Sequence, residues 1–257
     1  MGMAYAKSFL QYDLVKKENL LLVEKNTDRM EALRSFNTGV VTGIIDARLG
    51  TYDLLILAVK PQDFPGVHPL LRAVIQPSQL ILSIMAGISM DTLRQTLHHP
   101  LIVRAMPNTP ALIGMGMTAF AASPDLDVSQ VRKVENLINA TGRSVFLEEE
   151  RLLDAVTALS GSGPAYFFYI VKAMIEAGKA MGFEESLATQ LVKQTMLGSF
   201  HLINTSDKTL DELVTAVASK GGTTEAALRE FTAGELTETL IRGIVAAEQR
   251  AKELSKG

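Results

Sequence analysis

Ser219-Lys220-Gly221-Gly222-Thr223-Thr224 opens an amphipathic stretch and has the chemistry of an anion-binding corner. Two glycines let backbone come close to a ligand, Thr223 is placed to cap, and Glu225 to Phe231 continues as helix. N–H groups without helical acceptors and the positive end of the helix dipole therefore face the turn. Such a corner suits a small acidic substrate, with two hydroxyls to orient it. A plain helix start with no ligand has the same local pattern and stands beside that reading.

The remaining chemistry-bearing residues point elsewhere less well. His98-His99 precedes a proline, His68 and His201 are isolated, and no pair has the helical i, i+4 spacing of a metal site, so all four histidines read as solvent or packing residues and no metal is expected. Glu148-Glu149-Glu150 reads as a solvated helix start rather than a paired acid and base. Ser160-Gly161-Ser162-Gly163 has no histidine near it in sequence and no strand before it, which disfavours a hydrolase. The chain has no cysteine, hence no thiolate nucleophile, no disulfide framework and no thiolate metal site.

The elements that must position these groups change character midway. Leu20 to Val23, Leu54 to Val59, Leu80 to Met85 and Leu101 to Val103 are short apolar runs without alternation, the pattern of parallel strands covered on both faces. Asn26 to Phe36 and Ser89 to Leu97 fit crossover helices, and Met117 to Ala121 and Arg143 to Leu147 add two strands around a helix at about Ser129 to Ala140. After Leu147 nearly everything reads as helix, with breaks at Gly161-Ser162-Gly163, Gly182, Thr205-Ser206-Asp207 and Gly221-Gly222. The expected fold is α/β: a Rossmann-like parallel sheet over residues 1–147, then an all-α region over 148–257. Residues 165–175 are apolar around almost the whole helix, which fits either burial in a partner subunit or a central core helix.

In doubly wound sheets ligands sit beyond the carboxyl ends of the strands, here Glu24 to Asn26, Val59 to Gln62, Ala86-Gly87 and Met106 to Pro110. Those loops fit a dinucleotide path. Glu24 suits a ribose hydroxyl, whereas Lys25, Asn26 and Arg29 suit a ribose phosphate, so the choice of cofactor stays open. The usual Gly-x-Gly-x-x-Gly after a strand is absent: the chain opens Met1-Gly2-Met3-Ala4 as though at the last glycine of that fingerprint, with the first, central strand missing.

At 257 residues, 47% apolar and 21% charged, the chain can bury a core for one large or two ordinary domains. Its net charge of -3 with interspersed signs carries no nucleic-acid or polybasic membrane footprint. The most apolar run, Tyr166 to Val171, is far short of the roughly 20 residues that span a bilayer, and the charged N-terminal stretch does not read as a signal peptide. Cytoplasm is the expected compartment.

Five stretches together resemble, in the same order, motifs of the pyrroline-5-carboxylate reductases: Leu57 to Gln62 (LAVKPQ), Ser83 to Ser89 (SIMAGIS), Arg104 to Pro110 (RAMPNTP), Thr157 to Tyr166 (TALSGSGPAY) and Leu213 to Leu228 (LVTAVASKGGTTEAAL). The resemblance implies a Rossmann-like domain, an interleaved helical dimerisation domain, and hydride transfer from a reduced nicotinamide to the C=N carbon of 1-pyrroline-5-carboxylate, giving L-proline. NADPH is the usual donor and NADH is possible. The N–H groups around Gly221, Gly222 and Thr223, with the Ser219 hydroxyl nearby, suit such a substrate's carboxylate, and by the resemblance Thr224 would hydrogen-bond the ring nitrogen as the catalytic residue. Gly2, Met3, Lys25, Asn26, Val59, Lys60, Pro61, Ala86, Gly87 and Asn108 would lie along the cofactor, and Ser160, Gly161, Ser162, Gly163 and Pro164 would line the junction between nicotinamide and helical domain. A homodimer whose sites are completed by the second subunit is implied, and dimers assemble further in the family.

Two departures stand out. Lys220 occupies a position where the family often has proline, which loosens the turn. The absent first strand implies either that about a dozen upstream residues belong to the protein or that its cofactor site is damaged; the first is expected, because an open central position leaves the Leu54 to Val59 strand with unpaired backbone. Alternatives are a related imine or β-hydroxyacid reductase, the latter wanting a catalytic lysine such as Lys172 or Lys179, and a non-catalytic dimeric scaffold.

Overall fold

Leu80–Ser83 (β4) and Ile102–Met106 (β5) are buried at every position, and they form the middle of the main sheet. In the computed structural model, which describes residues 1–255, Leu54–Leu57 (β3), β4, β5, Gly116–Ala122 (β6) and Gly142–Phe146 (β7) pair in that order. Alternation along the central strands sends Leu80, Leu82, Val103 and Ala105 to one face, where they meet Tyr5 and Phe9 of Gly2–Gln11 (α1) and Val134 and Ile138 of Val128–Ile138 (α5). Ile81 and Ile102 go to the other face, against Phe64 and Leu71 of Phe64–Arg72 (α3) and Leu93 and Leu97 of Met90–Leu97 (α4). Helices on both faces give the three layers expected of an α/β unit, each large buried side chain contributing about 1.5–3 kcal/mol.

The sheet is not wholly parallel. β3, β4 and β5 run parallel, as do β6 and β7, but β6 pairs antiparallel to β5, with Val103 opposite Ala122 and Met106 opposite Ala119. The connection from Pro107 to Met115 is shorter than the dozen or so residues of a parallel crossover. It folds as a 3₁₀ turn over Thr109–Ile113 and reverses at Gly114, whose φ is +73°.

Leu21–Val23 (β1) and Val40–Thr42 (β2) form a separate two-stranded parallel sheet. The sequence reading found β1 but passed over Val40-Val41-Thr42, which is too short to show a period. Thr27–Ser35 (α2) connects the two, its first turn capped by the Asn26 side chain. A Cβ on Gly2 would come 3.0 Å from Ala58 Cβ just beyond β3, tighter than side chains ordinarily pack.

Two compact units divide the chain: Met1–Pro164 together with the chain from Ala247 onward, and Ala165–Ala246. The last strand ends at Phe146, close to the expected limit at Leu147, yet the first unit continues to Pro164. Leu153 of Leu152–Val156 (α6) packs in a third cluster with Met106, Ala119 and Ala121, and Arg104 makes ion pairs to Glu150 and Asp154.

The second unit comprises most of Gly163–Ala180 (α7), Glu185–Thr205 (α8), Leu210–Val217 (α9), Thr223–Ala233 (α10) and the first turns of Leu236–Leu254 (α11). Gly182, at φ +94°, turns the chain from α7 to α8, and the missing side chain of Gly178 lets the two helices approach so closely that a Cβ on it would lie 2.8 Å from Ala188 Cβ. Among the described residues no helix is long and apolar enough to cross a membrane.

Candidate functional site

Because β3, β4 and β5 are parallel neighbours, Val59-Lys60-Pro61, Ala86-Gly87 and Pro107-Asn108 leave the main sheet together, beyond the carboxyl ends of these strands. Pro61 starts a 3₁₀ turn to Asp63, and the Asp63 carboxylate lies 3.4 Å from Lys25 Nζ, which brings the loops after β1 and β3 together. Glu24 Oε1 accepts the Asn26 N–H at 3.0 Å, and Glu24 Oε2 lies 3.9 Å from Arg29 Nη1. The Asn26 carboxamide oxygen is already engaged by the Arg29 N–H at 2.9 Å. Lys25 and Arg29 side chains stay mostly exposed beside the start of α2, a cationic edge suited to phosphate.

Asn108 joins three segments. Its Oδ1 accepts the Met117 N–H at 2.9 Å, and its Nδ2 donates to Ser160 Oγ at 3.3 Å. Ser160 sits in a π-helical turn, Thr157–Gly161, closed by the Ser162 N–H donating to the Thr157 carbonyl at 2.8 Å. The expected break at Gly161-Ser162-Gly163 is therefore a widened turn that passes almost directly into α7, where Pro164 costs nothing because its position in the first turn needs no N–H.

In the second unit α9 delivers the Ser219 corner. The Thr209 and Glu212 side chains form a capping box at its start, and Glu212 is held below the usual carboxylate range by the Thr209 N–H and then by the Thr209 hydroxyl. A depressed folded-state pKa stabilises the helix above the unfolded value and ceases to do so as pH falls through the folded one. Amide-exchange protection of α9 is accordingly expected to fall on acidification through the carboxylate range in the wild type, and to vary less in Glu212→Gln; equal pH profiles would refute the coupling.

Gly222, not Thr223, is the N-cap of α10, and no side chain caps that helix. Thr223 already has helical geometry, so its expected capping role is corrected. The Gly222 N–H donates to the Ser219 carbonyl at 2.9 Å, and the Gly221 N–H donates to the Glu225 carboxylate, so these two donors are engaged within the turn. Those of Thr223 and Thr224 begin the helix and have no intrahelical acceptor. Thr224 is half-buried, while Ser219, Lys220 and Thr223 are exposed.

His99 is buried with Nε2 2.7 Å from the Gln79 carbonyl, a packing role as expected. Among the described residues no group of three or more His, Asp or Glu is placed to hold a metal. Glu150 departs from its expected solvated role by pairing with Arg104 and accepting the Met90 N–H at 2.8 Å. Lys179 is bound to Glu176 at 3.0 Å and to Glu185 at 3.5 Å, and the Glu176 hydrogen bond pushes its ammonium above the ordinary lysine range, the wrong direction for a general acid–base lysine. Sequence reasoning also passed over Leu254 and Ser255: a Cβ on Gly87 would fall 3.0 Å from Leu254 Cβ, and Ser255 Oγ donates to Asp154 at 3.0 Å.

A Rossmann-like first unit followed by a helical second unit fits the class of nicotinamide-linked oxidoreductases. A family model described as pyrroline-5-carboxylate reductase dimerisation matches residues 150–254. The pyrroline-5-carboxylate reductase of Pseudomonas aeruginosa is 40% identical over 205 residues, 79% of this chain and 75% of that protein. That of Arabidopsis thaliana is 32% identical over 234 residues, 91% of this chain and 84% of the relative. A solved structure of Plasmodium falciparum pyrroline carboxylate reductase with NADP bound matches 99% of this chain and 94% of its own, with a TM-score of 0.89 and 26% identity. The chain belongs to the pyrroline-5-carboxylate reductase family.

Proposed function

We propose that this protein is a cytoplasmic homodimer that reduces 1-pyrroline-5-carboxylate to L-proline with NADPH or NADH as hydride donor. The observation that carries the reading is the Ser219 to Thr224 corner, an anion-binding turn at the start of α10 within a chain of this family. The first unit is read as the dinucleotide-binding domain; the close seating of Gly2 on Ala58 and the exposed cations beside α2 fit that group. Gly2, Met3, Lys25, Asn26, Val59, Lys60, Pro61, Ala86, Gly87 and Asn108 would hold it, with Ser160 to Pro164 beside the nicotinamide.

Bound NADPH supplies the hydride that adds to the C=N carbon. The chain's own contribution is position. Free N–H groups on Thr223 and Thr224, at the positive end of α10, receive the substrate carboxylate, with the Ser219 hydroxyl as a further donor. Thr224 Oγ1 hydrogen-bonds the ring nitrogen and fixes which face of the ring is presented. A protonated imine is already electrophilic, so orientation rather than a strong acid accounts for the acceleration.

Dimerisation is supported by the apolar side chains that the second unit leaves uncovered, among them Phe168, Tyr169 and Met181, at 68%, 75% and 72% exposure. Light scattering reads whether dimers assemble further. The deciding assay is imine-dependent loss of NADPH absorbance with proline analysed as product; a folded dimer that consumes no NADPH with this imine sinks the proposal. Thr224→Ala is expected to lower kcat by about tenfold to hundredfold and leave the dimer intact. Wild-type turnover in that variant would remove Thr224 from the mechanism.

A further inference from the structure

Arg104 carries a buried charge for which the reduction itself has no use. Its side chain is 3% exposed, with Nη1 2.9 Å from Glu150 Oε1 and Nη2 3.0 Å from Asp154 Oδ1. The Nε has no hydrogen-bond partner among the described residues, so these two ion pairs must offset the desolvation of the guanidinium. An apolar side chain of similar volume fills such a space as well or better for stability alone. What the charged arrangement adds is direction.

Each carboxylate hands that direction on. Glu150 Oε1 also accepts the N–H of Met90, the first residue of α4, directly after the Ala86 to Ser89 loop. Asp154 Oδ1 also accepts the hydroxyl of Ser255, and the neighbouring Leu254 lies against Gly87 from the other side, its carbonyl oxygen 3.2 Å from where a Cβ would be. Arg104 itself lies in β5, which runs directly into Pro107 and Asn108. Asp154 stands one turn before the π-helical turn whose Ser160 accepts from Asn108.

We propose that Arg104 is a positioning residue for the dinucleotide: through Glu150 and Asp154 it sets the Ala86 to Ser89 loop, the Asn108 loop and the closing turn of α11 in one arrangement. The proposal rests on reading these strand ends as the cofactor site. NADPH binding, followed by its own fluorescence in the absence of imine, is the test. Arg104→Met is expected to weaken NADPH binding by about tenfold or more, and Arg104→Lys, which keeps one charge but not the two-pronged geometry, to recover part of that loss. The KM for NADPH should follow, while the KM for the imine, whose proposed groups lie on α10, stays within about twofold.

Ser255→Ala keeps the proposal testable where Arg104→Met does not fold: removal of that one hydroxyl is expected to weaken NADPH binding by about threefold. Wild-type NADPH affinity in a folded Arg104→Met, or in Ser255→Ala, overturns the proposal and leaves the reductase reading standing. Wild-type protein that binds NADPH but reduces no imine sinks the substrate and leaves Arg104 in place. Protein that binds no NADPH overturns both.

Discussion

Gly222→Ala is expected to raise the KM for pyrroline-5-carboxylate by about tenfold to hundredfold, a loss of about 1.4–3 kcal/mol, with NADPH binding and the dimer unchanged. A methyl group there would fall 2.6 Å from Ser219 Oγ and 2.9 Å from the Ser219 carbonyl oxygen. The hydroxyl can rotate away. The carbonyl cannot, because it accepts the N–H of Gly222 and so closes the turn. The backbone at Gly222, φ -83° and ψ 171°, is open to any residue, so the penalty is steric, and its relief must come from opening the turn that aims the first N–H groups of α10. Gly221 provides the contrast: a Cβ there meets nothing within 4 Å, and only its φ of +75° opposes alanine, at about 1 kcal/mol. Steady-state kinetics with each substrate varied should place Gly221→Ala between wild type and Gly222→Ala. Equal KM values in all three would show that the corner does not hold the substrate.

The turn before α10 was legible in the sequence because its signal is local: two glycines, two threonines and the helix they start are consecutive. The inference of Thr223 as cap was wrong because the rule favouring hydroxyl caps yields where glycine offers the tighter approach to Ser219. Strands β3, β4 and β5 were legible because burial on both faces removes polar residues from the run, whereas β2 is only Val40 to Thr42 and half exposed. The reversal of β6 depends on a turn at Gly114, and nothing in Met117 to Ala121 itself records strand direction. The Arg104 centre was beyond reach for a different reason. Its partners lie 46 and 50 positions away, and Ser255 lies 101 positions from Asp154, so the pairing is a product of the fold rather than of any spacing.

The first unit should be strongly destabilised by Gly142→Ala, for which we expect a loss of about 4 kcal/mol. Gly142 opens β7 at φ +147° and ψ -129°, a conformation that essentially only glycine adopts. A Cβ there would lie 2.1 Å from the carbonyl oxygen of Gly116 and 2.5 Å from its nitrogen, the very residue it pairs with across the β6–β7 ladder. Gly116 has no slack either: a Cβ on it would be 2.8 Å from the Thr141 carbonyl oxygen and from Ala111 Cβ. Backbone meets backbone on both sides, so no side-chain rotation relieves the contact and the ladder must part at its first pair. The effect reaches the cofactor loop, because the next residue, Met117, donates its N–H to Asn108. Melting of the first unit is expected to fall by about 8–16 °C, taking 2–4 °C per kcal/mol for a region of this size, with NADPH binding lost in step. Gly66→Ala in α3, where a Cβ meets nothing within 4 Å, should hold or slightly raise the midpoint, by up to about 1 kcal/mol. A Gly142→Ala protein that melts with the wild type would mean that β7 can re-register against β6 without Gly116, and the link from that ladder to Asn108 would have to be abandoned.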